Sequence, residues 1–191
     1  VGSMWTMGGY GAAQAVRFAS GIILARLLAP DAFGVMAMVA VVLQALQMFS
    51  DVGIAQSIIQ NERGHDRLFL DTAWTIHAAR GAVLAACAAL LAWPIAWFYH
   101  EPRLVQIMPI AGLTALLSGV SSTALFTMNR QLALKRLTVL EIGTQLLSTA
   151  ITVLLAWKVE RSVWALVWGT VAGSVLRTVF SYIALPGPHN R

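Results

Sequence analysis

Three arginines stand where arginine is costly. Arg17, Arg80 and Arg177 each fall inside a long apolar run of the sequence. A charge at the centre of a bilayer costs at least ~2.5–3.5 kcal/mol on insertion scales, so it needs a partner, a wet cavity or a path to the interface. Arg17 lies near the middle of its run. Arg80 is nine residues beyond Asp71, which is about 13 Å deep at helical rise. Arg80 and Arg177 are nearer their run ends, where snorkelling is the competing reading; it serves Arg17 less well. Guanidinium is the best bidentate binder of phosphate and carboxylate, so the chemistry on offer is capture of an anion. Two acids share this setting, Asp51 and Glu141. They read either as partners of the arginines or as carboxylates coupled to ion movement. Gln14 and Gln145 complete the set of candidate cavity residues.

Covalent chemistry finds no support. The sequence has no GxSxG, P-loop or HExxH pattern. Its four histidines (His65, His77, His100, His189) lack the spacing of a metal motif. The one cysteine, Cys87, lies in an Ala/Leu run, so it builds neither a disulfide within the chain nor a cysteine metal centre. The expectation is a protein that is not an enzyme and uses no metal or cofactor. The opening residues VGSMW lack the basic region and cleavage site of a signal peptide.

The elements that carry these residues are hydrophobic helices. Of 191 residues, 58% are hydrophobic and 11% charged, against roughly 25% charged in soluble domains. The mean hydropathy of +0.72 agrees. Lipid as solvent accommodates this composition, because apolar side chains can then face outward. The net charge of +5 does not indicate nucleic acid, since the basic residues form no dense run and most lie at the ends of apolar segments, as membrane proteins place them. With about 20 apolar residues needed per crossing, six spans are predicted: Trp5–Leu28, Phe33–Ile59, Thr72–Phe98, Leu104–Met128, Leu137–Trp157 and Val163–Leu185. Short connections predict an all-α, up-down bundle. Pro94 and Pro109 fall inside spans, where they can kink a helix.

Each span carries a polar stripe at helical spacing. Thr6, Tyr10, Gln14, Arg17 and Gly21 mark the first, Glu141, Gln145, Ser148 and Thr152 the fifth, and Thr170, Ser174, Arg177 and Ser181 the sixth. Six such faces point to a bundle around a wet interior. The plainer alternative is a set of interhelical hydrogen bonds. Arg26, two and a half turns from Arg17 and close to Asp31, reads as an interfacial anchor. Gly169 and Gly173 form a GxxxG, a common and weak sign of close packing. Arg63, Arg67, Arg130, Lys135, Arg136 and Arg191 fall at the even ends of spans, against Arg26, Arg103, Lys158 and Arg161 at the odd ends. The positive-inside rule then puts both termini in the cytoplasm.

Five stretches carry a resemblance. ARLLAPDAFG (Ala25 to Gly34), SDVGIAQSIIQ (Ser50 to Gln60), AWFYHEPRL (Ala96 to Leu104), NRQLALKRLTVLE (Asn129 to Glu141) and ERSVWALVWG (Glu160 to Gly169) resemble, in order, segments of the first half of polysaccharide-export flippases. These are the Wzx-like branch of the multidrug/oligosaccharidyl-lipid/polysaccharide exporter superfamily, and the fit is best to the colanic and teichuronic acid exporter subgroup. The resemblance implies a bacterial inner-membrane protein of 12 to 14 helices in two lobes, of which residues 1–191 cover the first. It implies movement of a polyprenyl-diphosphate-linked oligosaccharide between leaflets. It implies, further, a cavity arginine at Arg17; stripe geometry adds Arg80 and Arg177. The other lobe is either further sequence or a second chain, and one lobe alone should not complete a cycle.

Two other readings stand beside this one. A cation-coupled drug exporter of the same superfamily would want acids in its cavity, whereas here arginine dominates. A membrane-embedded scaffold with no transport of its own would need no cavity at all.

Overall fold

The structure, a computed structural model, describes residues 2–50, 67–121, 134–158 and 162–183. The described residues form six α-helices and no strand: α1 (Gly2–Leu27), α2 (Pro30–Ser50), α3 (Arg67–Tyr99), α4 (Leu104–Val120), α5 (Leu134–Lys158) and α6 (Val163–Ile183). Among them α2, the Asp71–Tyr99 part of α3, and α6 are long and apolar enough to cross a membrane, and α4 and the Glu141–Trp157 part of α5 are shorter apolar helices. This is an all-α membrane protein. The predicted extensions of the second span to Ile59, the fourth to Met128 and the sixth to Leu185 lie outside the described residues, as does Asp51.

Helix boundaries follow local chemistry. Ala29 precedes a proline, which disfavours helical backbone there, and α1 closes on a bond from the Leu28 amide to the Leu24 carbonyl. Pro30 opens α2, three residues before the predicted start at Phe33. Proline suits the first helical position because that amide has no partner anyway, and Asp31 complements the dipole of the first turn. α3 starts at Arg67, five residues before the predicted Thr72, so its charged first turn lies outside the apolar stretch. It ends in a left-handed cap: His100 has φ 54°, the Glu101 amide bonds the Ala96 carbonyl and the His100 amide the Trp97 carbonyl. That is the Schellman pairing, here with His where Gly is usual. The turn packs against α2, where Arg103 donates to Asp31 at 3.0 Å and sits 3.5 Å from Glu101. The hydrogen bond to Asp31, with Glu101 adding to it, raises the pKa of the Arg103 guanidinium further. The described partner of Asp31 is thus Arg103, not the nearby Arg26.

α3 and α4 pair antiparallel, as do α5 and α6; α4 lies beside α6, and α2 packs on α3, α4 and α6. The expectation that every short connection joins packed neighbours fails at two places. α4 packs on α3 and α6 and not on the α5 that follows it. α1 lies along α5 rather than along α2, because the break at Leu28–Ala29 turns the chain across the bundle.

Small residues set the closest contacts. A Cβ on Gly81 would come within 2.7 Å of the Ala115 carbonyl oxygen and 3.0 Å of the Gly119 Cα, and one on Gly119 within 2.8 Å of the His77 carbonyl. The α5–α6 seam uses the GxxxG noted above: Gly169 faces Thr152, and a Cβ on Gly173 would meet the Ser148 hydroxyl at 2.5 Å. In lipid, where apolar burial does not drive helices together, such backbone proximity is the source of association.

The apolar core is confined to one end. Leu28, Val35, Val39, Leu104, Ile107, Met108, Val163 and Val167 are buried together, where the start of α2 meets the turn between α3 and α4 and the start of α6. Towards the other end α3, α4 and α6 stay in close contact, and polar residues line clefts beside them.

Candidate functional site

The contacts between helices fix a single level. The Ser148 hydroxyl of α5 donates to the Gly169 carbonyl of α6 at 3.2 Å, and Ser148 also faces Gly173. One turn further along each antiparallel helix brings Thr144 beside Arg177, and Glu141 Oε1 lies 3.8 Å from an Arg177 terminal nitrogen. On the other side of α6, the Thr178 hydroxyl donates to the Leu117 carbonyl of α4 at 2.9 Å. Gly81 of α3 packs on Ala115, Leu116 and Gly119 of α4, which puts Arg80 at the same height. From there Arg80 reaches α2, its Nε donating to the Ser50 hydroxyl at 3.1 Å and a terminal nitrogen to the Gln47 carbonyl at 3.0 Å. Arg17 of α1 completes the row against α5. All three arginines therefore form a belt across the bundle, not a ladder along it.

Two adjoining clefts open on this belt. The first, of about 360 Å³, is lined by Arg17, Glu141, Thr144, Gln145, Ser148, Thr170, Gly173, Ser174 and Arg177. The second, of about 330 Å³, is lined by Gln47, His77, Arg80, Gly81, Leu84, Thr114, Ala115, Ser118, Gly119, Ser174 and Arg177. They share Ser174 and Arg177.

The three arginines differ in how committed they are. No hydrogen bond or ion pair joins the Arg17 guanidinium to another described residue, and the residue is exposed, so its donors face the first cleft. Among the described residues the Arg177 guanidinium has only the long contact to Glu141, both side chains being about half exposed at 57% and 51%. Arg80 is half-buried and spends two of its five N–H donors on α2.

The hydroxyls of the stripes are committed as well. Thr114, Ser118, Thr144, Thr170 and Ser174 each donate to a carbonyl three or four residues back in their own helix, at 2.6–3.0 Å. This corrects the plainer reading of the stripes, in which they served mainly to join helices. Besides the arginines, bonds between helices are made by Ser148, Thr178, and the aromatic donors Trp74 Nε1 and Tyr182 Oη, which both bond the Val120 carbonyl, at 3.1 and 2.7 Å. With its proton spent, a hydroxyl offers the cleft its remaining lone pairs as acceptors.

Of the residues singled out in the sequence, Arg17, Glu141, Gln145 and Arg177 share the first cleft, and Arg80 and Arg177 share the second. Gln14 is exposed on α1 and lines neither cleft. Asp51 lies outside the described residues. Gln47 and His77 line the second cleft and Thr144 the first, and none of the three is among the candidates taken from the sequence. Thr144 falls three residues after Glu141, a helical spacing that could have flagged it.

The chain matches the family model described as "Polysaccharide biosynthesis protein" over residues 23–187. It is 35% identical over 89 residues to the amylovoran biosynthesis protein AmsL of Erwinia amylovora, a match covering 46% of this chain and 22% of that protein. The chain thus spans well under two thirds of that relative's length. No solved structure matches it.

Proposed function

Because the chain belongs to the polysaccharide biosynthesis protein family, we propose that it carries a polyprenyl-diphosphate-linked oligosaccharide across the bacterial inner membrane for surface polysaccharide assembly. The observation behind this reading is the belt. Three guanidiniums lie at one depth of a membrane bundle and face open polar clefts, with Glu141 as the acid among the described cleft residues. A lipid diphosphate brings dense negative charge on a tail that can stay in the bilayer, and guanidinium forks bind it while the sugars occupy the polar face. No covalent bond changes. The acid-rich cavity that a cation-coupled drug exporter would need is not what these clefts offer, and Glu141 is already set against Arg177.

In this proposal residues 1–191 act as the N-terminal lobe, and a second lobe or a second chain faces the clefts across the transport path. Vesicles holding this chain with its complementary lobe are expected to expose a labelled lipid-linked oligosaccharide on the far leaflet. Vesicles holding these 191 residues alone should match empty ones. Flipping by the lone chain would remove the need for a second lobe, and its absence from the complete assembly would remove the proposed function.

The orientation proposed is N-terminus inside, from the excess of Lys and Arg at the even ends. After replacement of Cys87, a cysteine at position 101 should react with an impermeant thiol reagent added outside intact cells, and one at position 64 only after permeabilisation. The reverse pattern would invert the topology.

A further inference from the structure

We infer that Glu141 is a built-in counter-anion that sets the charge a ligand must carry to hold the first cleft, so that a diphosphate is admitted and the singly charged phosphodiester of ordinary phospholipids is turned away. This rests on the transport reading above and adds to it a specificity-determining residue on α5.

The first cleft is arranged around one acid. Its walls carry Arg17 of α1 and Arg177 of α6. Both helices pack on α5, which makes the cleft a trough with α5 as its floor. Glu141, on that floor, is the only acid among the described residues that line either cleft. Its Oε1 stands 3.8 Å from an Arg177 terminal nitrogen, beyond the ~2.7–2.9 Å of a charge-assisted hydrogen bond. Both side chains are about half exposed, and ion pairs in contact with water are worth little. Glu141 therefore holds Arg177 loosely and can yield it. Arg80 shows the contrast, since its described partners are the neutral Ser50 hydroxyl and Gln47 carbonyl.

The surrounding membrane gives this acid a task. Anionic phospholipids bathe the bundle, and basic groups attract their headgroups. Two uncompensated guanidiniums in the trough would collect them. With Glu141 ionised, the trough carries two positive charges and one negative. A phosphodiester brings one charge. It can satisfy one guanidinium, and for the other it must displace a carboxylate of equal charge. A diphosphate diester brings two charges on four non-bridging oxygens, enough to fork both guanidiniums at once. It gains more than the loose Glu141 contact gives up. Once Arg177 has turned to the ligand, the half-exposed Glu141 carboxylate remains solvated in the cleft. Specificity here comes from a competing anion that works against the wrong ligand, not from an added contact to the right one.

The test measures binding of a polyprenyl diphosphate carrying one hexose to the full-length protein in two kinds of nanodisc. One is phosphatidylcholine alone, and the other has an equal share of phosphatidylglycerol. The readout is the ratio of the two affinities. For the unmodified protein it should stay within about twofold. Glu141→Gln removes the charge at nearly constant shape. It should bind the probe about threefold more tightly in phosphatidylcholine, the worth of a half-exposed ion pair, and lose at least that factor in phosphatidylglycerol. Glu141→Asp keeps the charge and should keep the ratio of the unmodified protein. An unmodified ratio in Glu141→Gln, weaker binding by it in both discs, or the same altered ratio in Glu141→Asp overturns the counter-anion role and leaves diphosphate capture intact. So does a loss of about fivefold or more by the unmodified protein in phosphatidylglycerol, a result that needs no variant. Failure of the unmodified protein to bind the probe in either disc overturns both readings.

Discussion

Replacing Arg17 by alanine is expected to cut export by about a hundredfold or more, since a forked pair of charge-assisted hydrogen bonds at ~1.5–3 kcal/mol each would be lost, while the amount of protein in the membrane stays unchanged. The expectation rests on contrast with its neighbours. Arg80 is tied to α2 and Arg177 faces Glu141, but no other described residue holds Arg17. A side chain without a structural partner has little to lose structurally when truncated. Arg17→Lys should keep only part of the activity, because an ammonium is a point charge without the planar fork. The competing role is an ion pair with Asp51. In that case Arg17→Ala would lower the protein level, and Arg17→Ala with Asp51→Ala would restore both level and export. A normal level without export, in the single and the double variant alike, is the outcome that assigns Arg17 to the ligand.

The largest effect on folding is expected at Gly81. A valine there would place its Cβ 2.7 Å from the Ala115 carbonyl oxygen and 3.0 Å from the Gly119 Cα. Both obstacles are backbone, so no side-chain rotation relieves them and α3 and α4 must separate. Overpacking in well-packed interiors costs ~1–3 kcal/mol even where side chains can yield, so the cost at Gly81 should reach or exceed that range. Gly81→Val should lower the yield of membrane-inserted protein several-fold and shift its thermal transition in detergent downward. Gly143→Ala is the control. Nothing lies within 4 Å of a Cβ at Gly143, and alanine is the better helix former by about 1 kcal/mol. If Gly81→Val proved as stable as the control, the close α3–α4 contact would not be what holds the pair together.

The six helices were legible in the sequence because long apolar runs separated by Pro, Gly and charge leave few alternatives. Their ends were less so. Pro30 reads as a breaker in a sequence but serves as a first helical residue in the structure, and α3 begins in a charged turn that hydropathy assigns to a loop. The choice of neighbours was not legible at α1, since connection length says which helices are consecutive, not which faces fit. For the site, helical spacing put Arg17, Glu141 with Gln145, and Arg177 on the polar stripes of three separate helices, and these residues line one cleft. It could not show that the arginines share a level, because depth along one helix carries no register against another. That register came from small residues. Gly169–Gly173 was visible as a motif, and Gly112 and Gly119, two turns apart, share one face of α4, but their match to Gly81 emerges only once α3 and α4 are side by side.

A belt at one depth is also a belt at one electrical distance. Along α6, Arg177 lies about 9 Å from the Ile183 end and about 21 Å from the Val163 end. In the proposed orientation the nearer end is cytoplasmic. In the proposed transport, a headgroup shifting sideways along the belt would cross no part of the membrane voltage. The voltage would act, in that transport, only on the later step, which carries the bound anion through the longer remaining distance. An inside-negative potential favours that step, at up to ~2.3 kcal/mol per elementary charge per 100 mV for a full crossing.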